Sequence, residues 1–430
     1  MCSELLRIPL SWGNVPIFGG GVLLLVWTVF GMWGLKATAK IAGWPAALKA
    51  HLPTIVIIAA GIAFFVPKYF PDGVPIRGYG MMVLAGSIAG IWLSIRRAGQ
   101  AGIPAEEIMG LAVAMFVGGV VGARLFYVIE YWDDRIRQVD WLSTIKAALS
   151  FTEGGLVIYG AFIGAMIGFA WYTWRRRLPG LAVADMISAG MLVGLAFGRV
   201  GCLLNGCCYG GEADVAWAIT FPRESAPQMM SPPYADQAAS GAFYGFHLKA
   251  SDDGATTIDR VIPNSVAAAA GLKPGDVVAK IDRKTIASSE GAQVLLYQAF
   301  VGGDPLVVET ADGVAHELPA IEPPPRSRPV HPAQLYSTIT AALLAWVLWS
   351  FYPFRRRDGE VTALMITLYP IARFFEEAIR VDESAVFGTG LSISQNISIL
   401  LFVAAMAMWL WLRRKPVGNL AFPATAVASR

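Results

Sequence analysis

Nine apolar runs divide this chain, and positive charge closes every second one. Each run is near the ~20 residues that cross a ~30 Å hydrocarbon layer as a helix. They read as spans over 19–35, 54–70, 78–95, 107–129, 155–174, 181–200, 333–352, 361–380 and 394–412. Lys36 and Lys40 follow the first span, Arg96 and Arg97 the third, and Arg175, Arg176 and Arg177 the fifth. Arg355, Arg356 and Arg357 follow the seventh, and Arg413, Arg414 and Lys415 the ninth. Basic residues stay on the cytoplasmic side, so the odd spans are expected to run inwards, with the N-terminus outside and the C-terminus inside. One missed or invented span would break this alternation. Composition agrees: 15% of residues are charged and 55% hydrophobic, against about 25% charged in soluble domains. The chain therefore reads as a polytopic α-helical membrane protein. The net charge is only +3, and no basic patch with interleaved aromatics lies outside the spans, which argues against nucleic acid. The first apolar run lacks a basic lead and a clear cleavage site, so it reads as a span rather than a signal peptide.

Residues 212–330 change character, with turn residues and many charges. Within them, Tyr244-Gly245-Phe246-His247-Leu248 and the later stretch AAAAGLKPGDVVAKID, with Gly271 and Lys273-Pro274-Gly275-Asp276, resemble a PDZ domain over about 243–320. The first of these is similar to the carboxylate-binding loop and its strand. The resemblance implies that residues 244–248 bind an extended peptide as an added strand. Topology places this small α/β insertion outside the membrane. The expected organisation is an added transmembrane hairpin over 1–70, a first core segment over 71–211, a linker over 212–242 and the PDZ-like domain over 243–320. A second core segment follows over 321–415, then a cytoplasmic tail over 416–430. VPIFGGG (Val15–Gly21) and VPIRGYG (Val74–Gly80) share a pattern. Partial duplication and chance similarity between glycine-rich segments both account for it.

Ionisable groups inside spans are expensive and mark polar cavities. Arg124 lies near the outer end of the fourth span and Arg199 near that of the sixth. The eighth carries Tyr369, Arg373, Glu377 and Arg380 at steps that share one helix face. Tyr79 opens the third span, Tyr159 lies in a glycine-spaced fifth, and His331 to Tyr336 (HPAQLY) open the seventh. All fall in the outer half of the membrane. Arginines with tyrosines and a glutamate suit an anion, most simply a lipid phosphate. The bland alternative is an i,i+4 pair of Arg373 and Glu377, with the other arginines snorkelling to headgroups.

This set resembles the prolipoprotein diacylglyceryl transferase family. The family's arginine–asparagine signature is similar to GRVGCLLNGCCYG, with Arg199, Asn205 and Gly210 in the matching places. Its HPxQLYE motif is similar to His331 through Tyr336, and its late tyrosine, arginine and glutamate to Tyr369, Arg373 and Glu377. GGLVIYGAFIG resembles its glycine-rich motif, and Tyr79 its early tyrosine. The likeness covers roughly 70–211 and 329–413. The departures are Tyr159 where the family often has histidine, Cys202 for asparagine, Cys207 for an acidic residue and Ser337 for the glutamate that ends HPxQLYE.

The resemblance implies transfer of the diacylglyceryl group of phosphatidylglycerol to the lipobox cysteine thiol of a prolipoprotein, with release of glycerol phosphate and no cofactor. The setting it implies is the outer face of a bacterial inner membrane, with the PDZ-like domain in the periplasm. Arg199 and Arg373 would stabilise the leaving phosphate, and Glu377 would orient Arg373. Arg124 and Arg380 would be further phosphate contacts, with Asn205, Tyr79, Tyr369 and Gly210 completing the lipid site. The general base is open between Tyr159, whose phenol would need its ordinary pKa of about 10 lowered, and His331. Cys202, Cys207 and Cys208 form C-x4-C-C without a second ligand pair, which argues against a zinc site. A disulfide and packing as small apolar groups both remain open for them. Two other functions fit: a lipid-headgroup transferase using Cys207 or Cys208 as nucleophile, and a non-catalytic membrane scaffold presenting the PDZ-like domain.

Overall fold

The structure is a computed structural model that describes residues 4–8, 20–69, 73–138, 140–150, 155, 157–226, 229–250, 255–380, 385–386 and 388–420. Each sequence-predicted span falls on a helix. These are α1 (Gly20–Ala42), α2 (Trp44–Tyr69), α3 (Gly78–Gln100) and α4 (Ala105–Glu130), with a short α5 (Trp141–Leu149) before α6 (Ile158–Arg175) and α7 (Gly180–Asn205). The α/β insertion carries α8 (Pro232–Ser240), α9 (Val266–Ala269) and α10 (Ser289–Gly302). Then come α11 (Ala333–Phe351), α12 (Glu360–Glu377) and α13 (Ile393–Arg413). Among the described residues, six helices are long and apolar enough to cross a membrane: α2, α3, α4, α7, α11 and α13. The protein is thus a helical, polytopic membrane protein. The long helix α12 falls outside that set because Glu360, Arg373, Glu376 and Glu377 sit on it. Val15 to Gly19 of the first VPI stretch, and the chain beyond 420, lie outside the described residues.

Several helices run past the expected bounds, as α1 to Ala42, α3 to Gln100 and α7 to Asn205, and two of the differences have a clear physical reason. α2 begins ten residues before the expected 54, because Pro53 removes one backbone donor without ending the helix. α12 stops at Glu377, so Arg380 stands beyond the helix, where it bridges Gly210 as a short antiparallel pair.

The chain divides into two compact units, of which one comprises 82–200, 208–217 and 331–430. Its helices pack through glycines, as lipid-embedded helices do where small residues let backbones meet. On α3 and α7, a Cβ at Gly90 would lie 2.6 Å from the Gly190 carbonyl oxygen. On α4 and α6, Gly118 and Gly122 face Gly160, Gly164 and Gly168 so closely that added Cβ atoms would overlap backbone carbonyls. At one end of this unit the first turns of α7 and α12 are joined by a polar knot centred on the buried Asp185 and Arg355. Asp185 accepts from Gly359 N at 2.7 Å, Thr362 N at 2.8 Å and Thr362 Oγ1 at 2.8 Å. Arg355 Nε lies 3.6 Å from Asp185 Oδ2. The guanidinium groups of Arg355 and Arg97 lie over the Tyr352 ring, at 3.7 Å and 4.5 Å from its centre. This knot fixes the helix register that sets the opposite ends of α7 and α12.

The other unit comprises 1–81, 201–207 and 218–330. Here α1 and α2 form a hairpin in which Gly31 meets Ile55 and Trp27 Nε1 donates to the Ile55 carbonyl at 2.9 Å. Its α/β region has an antiparallel four-stranded sheet, with Leu306–Thr310 flanked by Ala315–Leu318 and Val278–Ile281, and Lys284–Thr285 at the edge. A hairpin of Phe246–Ala250 and Thr256–Val261 lies beside it, bridged through Thr257 and Val277. Tyr234, Phe246, Ile258, Leu296, Phe300 and Leu306 are among the side chains of its core.

Candidate active site

The end of α12 gathers charged side chains. Tyr369, Arg373 and Glu377 recur every four residues, so they share a face. Arg373 Nη2 lies 2.6 Å from Glu377 Oε2, and Arg380 Nε reaches the same oxygen at 3.9 Å. Glu377 therefore sits between two guanidinium groups and is itself buried. Arg373 Nη2 also donates to Ser394 Oγ at 3.0 Å. Ser394 is placed by the capping box that starts α13, in which Gln395 N donates to Ser392 Oγ and Ser392 N to Gln395 Oε1.

The start of α11 meets this end through a loop. Gly210 N donates to the His331 carbonyl at 2.9 Å, His331 N to the Gly211 carbonyl at 2.9 Å, and Gly211 N to the Ile379 carbonyl at 3.0 Å. Gly210 is required there, because a Cβ would sit 2.7 Å from His331 Cβ. His331 Nδ1 is 3.3 Å from the Tyr336 hydroxyl, which accepts from Trp217 Nε1 at 2.7 Å. The buried Gln334 and Ser337 follow on the inward face of α11.

Between α7, α11 and α12 lies a narrow recess of about 10 Å³. Its walls bring together Arg199, Tyr369 and Arg373, expected as site residues, with Ser337, noted in the sequence only as a departure from the resembled motif, and with Thr340 and Glu376, which were not singled out. Arg199 is half-buried, and its guanidinium makes no hydrogen bond or ion pair among the described residues. A cation so placed suits an incoming anion.

Other expected residues are placed elsewhere. Arg124 is buried and donates to the carbonyls of Ala147 at 2.7 Å, Ala148 at 2.9 Å and Gly155 at 3.0 Å, tying α4 to the chain before α6. Tyr159 is half-buried on α6, the helix that packs on α4. Neither lines the recess, nor does His331. Tyr79 is the second residue of α3, and Asn205 the last of α7. Cys207 N donates to the Cys202 carbonyl at 3.1 Å, and the thiols of this pair lie within 4.8 Å. Cys208 follows with φ of 58°. In the insertion, Tyr244 closes a 3₁₀ turn, Gly245 takes φ of 90°, and Phe246, His247 and Leu248 begin a strand.

Glu376 was the residue missed. The signal for it was Ser337, a serine where the resembled motif has glutamate, together with a doubled carboxylate at the end of α12.

Six helices long and apolar enough to cross a membrane, with a recess lined by Arg199 and Arg373 beside them, define a polytopic membrane protein with buried polar groups. A family model for prolipoprotein diacylglyceryl transferase matches residues 67–411. The phosphatidylglycerol–prolipoprotein diacylglyceryl transferase of Rhodopirellula baltica is 34% identical, over 97% of this chain and 90% of that protein. That of Corynebacterium efficiens is 25% identical, over 78% of this chain and 77% of its own length. The chain belongs to the prolipoprotein diacylglyceryl transferase family. Because the Rhodopirellula alignment covers 97% of the chain, it takes in the added N-terminal helices and the α/β insertion.

Proposed function

We propose that this protein transfers the diacylglyceryl group of phosphatidylglycerol to the lipobox cysteine thiol of prolipoproteins, releasing glycerol phosphate. The observation that carries the reading is the recess where Arg199, without an ion pair among the described residues, shares a wall with Arg373 and Tyr369. The reaction displaces a phosphate from a glycerol carbon. Its barrier falls when fixed cations meet the charge that develops on the leaving oxygen. Arg199 and Arg373 are those cations. Glu377, pinned at 2.6 Å, sets the direction of Arg373. Burial of this pair keeps it from being screened as a surface pair would be.

The reading extends to topology. Nine spans, with α1, α6 and α12 added to the six helices already long and apolar enough to cross a membrane, carry the active end to the outer face of a bacterial inner membrane. Support comes from the basic clusters that close alternate spans. The N-terminus and insertion are then periplasmic and the C-terminus cytoplasmic. The insertion is read as a PDZ-like domain that binds an extended peptide. In its favour, Gly245 turns into the strand Phe246–Ala250, which pairs along one edge with Thr256–Val261 among the described residues. A peptide would add to its other edge.

The test is mass spectrometry of a lipobox peptide after incubation with the purified protein and phosphatidylglycerol. The wild type is expected to add one diacylglyceryl group. Arg199→Gln and Arg373→Gln are expected to abolish the addition, and full lipidation by both variants would sink the phosphate-site assignment.

A further inference from the structure

We propose that Glu376, held by Ser337, accepts the proton of the substrate thiol during the transfer. The proposal rests on the transferase reading above. It starts from the wall of the recess, where Glu376 stands with Arg199 and Arg373. Successive helix residues point about 100° apart. Glu376 therefore faces α11, while Glu377 faces the two arginines that bind it. Ser337 Oγ donates to Glu376 Oε2 at 2.6 Å. Oε1 has no hydrogen-bond partner among the described residues. One oxygen is anchored and the other is open to a proton.

The alternatives on the molecule are placed less well. Protonating Glu377 would remove the charge that pairs with Arg373 at 2.6 Å in a buried site. His331 faces Tyr336, and Tyr159 is on α6; both are outside the lining of the recess. Ser337 stands where the resembled motif has glutamate. The carboxylate here comes from the facing helix and meets α11 through that serine.

The chemistry balances without a co-reactant. The S–H bond breaks towards Glu376 as sulfur bonds to the glycerol carbon. The carbon–oxygen bond to phosphate breaks, and its electron pair leaves on the phosphate oxygen, facing Arg199 and Arg373. The products are a thioether and glycerol phosphate, and the proton on Glu376 passes to solvent. A free thiol ordinarily titrates near 8.5 and a glutamate near 4.3. Complete transfer before attack is therefore uphill, and the proton moves as the S–C bond forms.

The test uses the full-length protein in phosphatidylglycerol vesicles with a lipobox peptide, measuring initial rates across pH. Glu376→Gln is expected to lower kcat by about 10²-fold or more, with KM for phosphatidylglycerol little changed and the acid limb of the pH profile gone. The exchange Ser337→Glu with Glu376→Ser, which returns the carboxylate to α11, is expected to recover most of the rate. Glu376→Asp, tested alongside for the case that the glutamine variant does not fold, should keep the acid limb at a reduced rate. An active wild type with a Glu376→Gln rate within twofold, or with the acid limb intact, overturns the assignment alone. A folded wild type that leaves the peptide unlipidated overturns the transferase reading, and this proposal with it.

Discussion

Glu377 Oε2 lies 2.6 Å from Arg373 Nη2 and 3.9 Å from Arg380 Nε, so one buried carboxylate organises cations from α12 and from the turn beyond it. Removing one member of a buried pair leaves the other uncompensated and costs about 3–5 kcal/mol. Glu377→Ala is therefore expected to lower the melting temperature in detergent and to abolish lipidation. Glu377→Gln keeps the shape but not the charge. It is expected to retain most of the fold while kcat falls about 10²-fold, the scale of losing a fixed electrostatic stabiliser. Initial rates and melting curves on the same preparations check both. A Glu377→Gln enzyme at full rate would remove Glu377 from the site.

Gly210 joins the entrance of α11 to the end of α12. A methyl group there would press on His331 Cβ at 2.7 Å and on the Ile379 carbonyl oxygen at 3.1 Å. Neither can withdraw, because the Gly210, Gly211 and His331 hydrogen bonds fix both strands. Gly210→Ala is expected to cost about 1–3 kcal/mol as overpacking and to lower activity at least tenfold by shifting α12. Wild-type activity and melting temperature in this variant would contradict the close approach.

The long helices were legible because apolar length and flanking charge are local signals. Arg199, Tyr369 and Arg373 were legible as a group because charge inside an apolar run stands out against its neighbours. The sequence did not reveal where each side chain points. Arg124 looked like a phosphate ligand from its depth, yet its donors meet the carbonyls of Ala147, Ala148 and Gly155. Two of those carbonyls end the short helix α5 and the third lies between α5 and α6, where no apolar periodicity announces the course of the chain. Glu376 was hidden for the opposite reason. It sits beside Glu377, and only the packing of α11 on α12 assigns the two carboxylates to different partners.

α4 and α6 meet backbone to backbone, and the Gly164 position would drive a Cβ into the Gly118 carbonyl oxygen. Gly164→Ala is expected to destabilise by about 1–3 kcal/mol. At Gly34 on α1 an added Cβ meets nothing within 4 Å. Gly34→Ala should be neutral or stabilising by up to about 1 kcal/mol, from helix propensity alone. Melting temperatures of the two variants measured side by side separate packing from propensity. Equal effects would mean that α4 and α6 are not in close contact.

The α/β insertion carries its own pH limit. Tyr244 is buried beside Phe246 and Phe300, and burial pushes its phenol up to about 12, with Asp282 and Asp304 adding to the rise. In the unfolded chain a phenol titrates near 10. Below pH ~10 both states hold the proton, and stability is unaffected. Between about 10 and 12 the unfolded state releases it while the folded state keeps it, so stability falls through that window. Tyr244→Phe removes the titration and is expected to flatten this alkaline loss, leaving stability at pH 8 close to the wild type. Melting temperatures between pH 8 and 11 on the full-length protein measure it. An identical alkaline slope in wild type and variant would assign the loss to other groups.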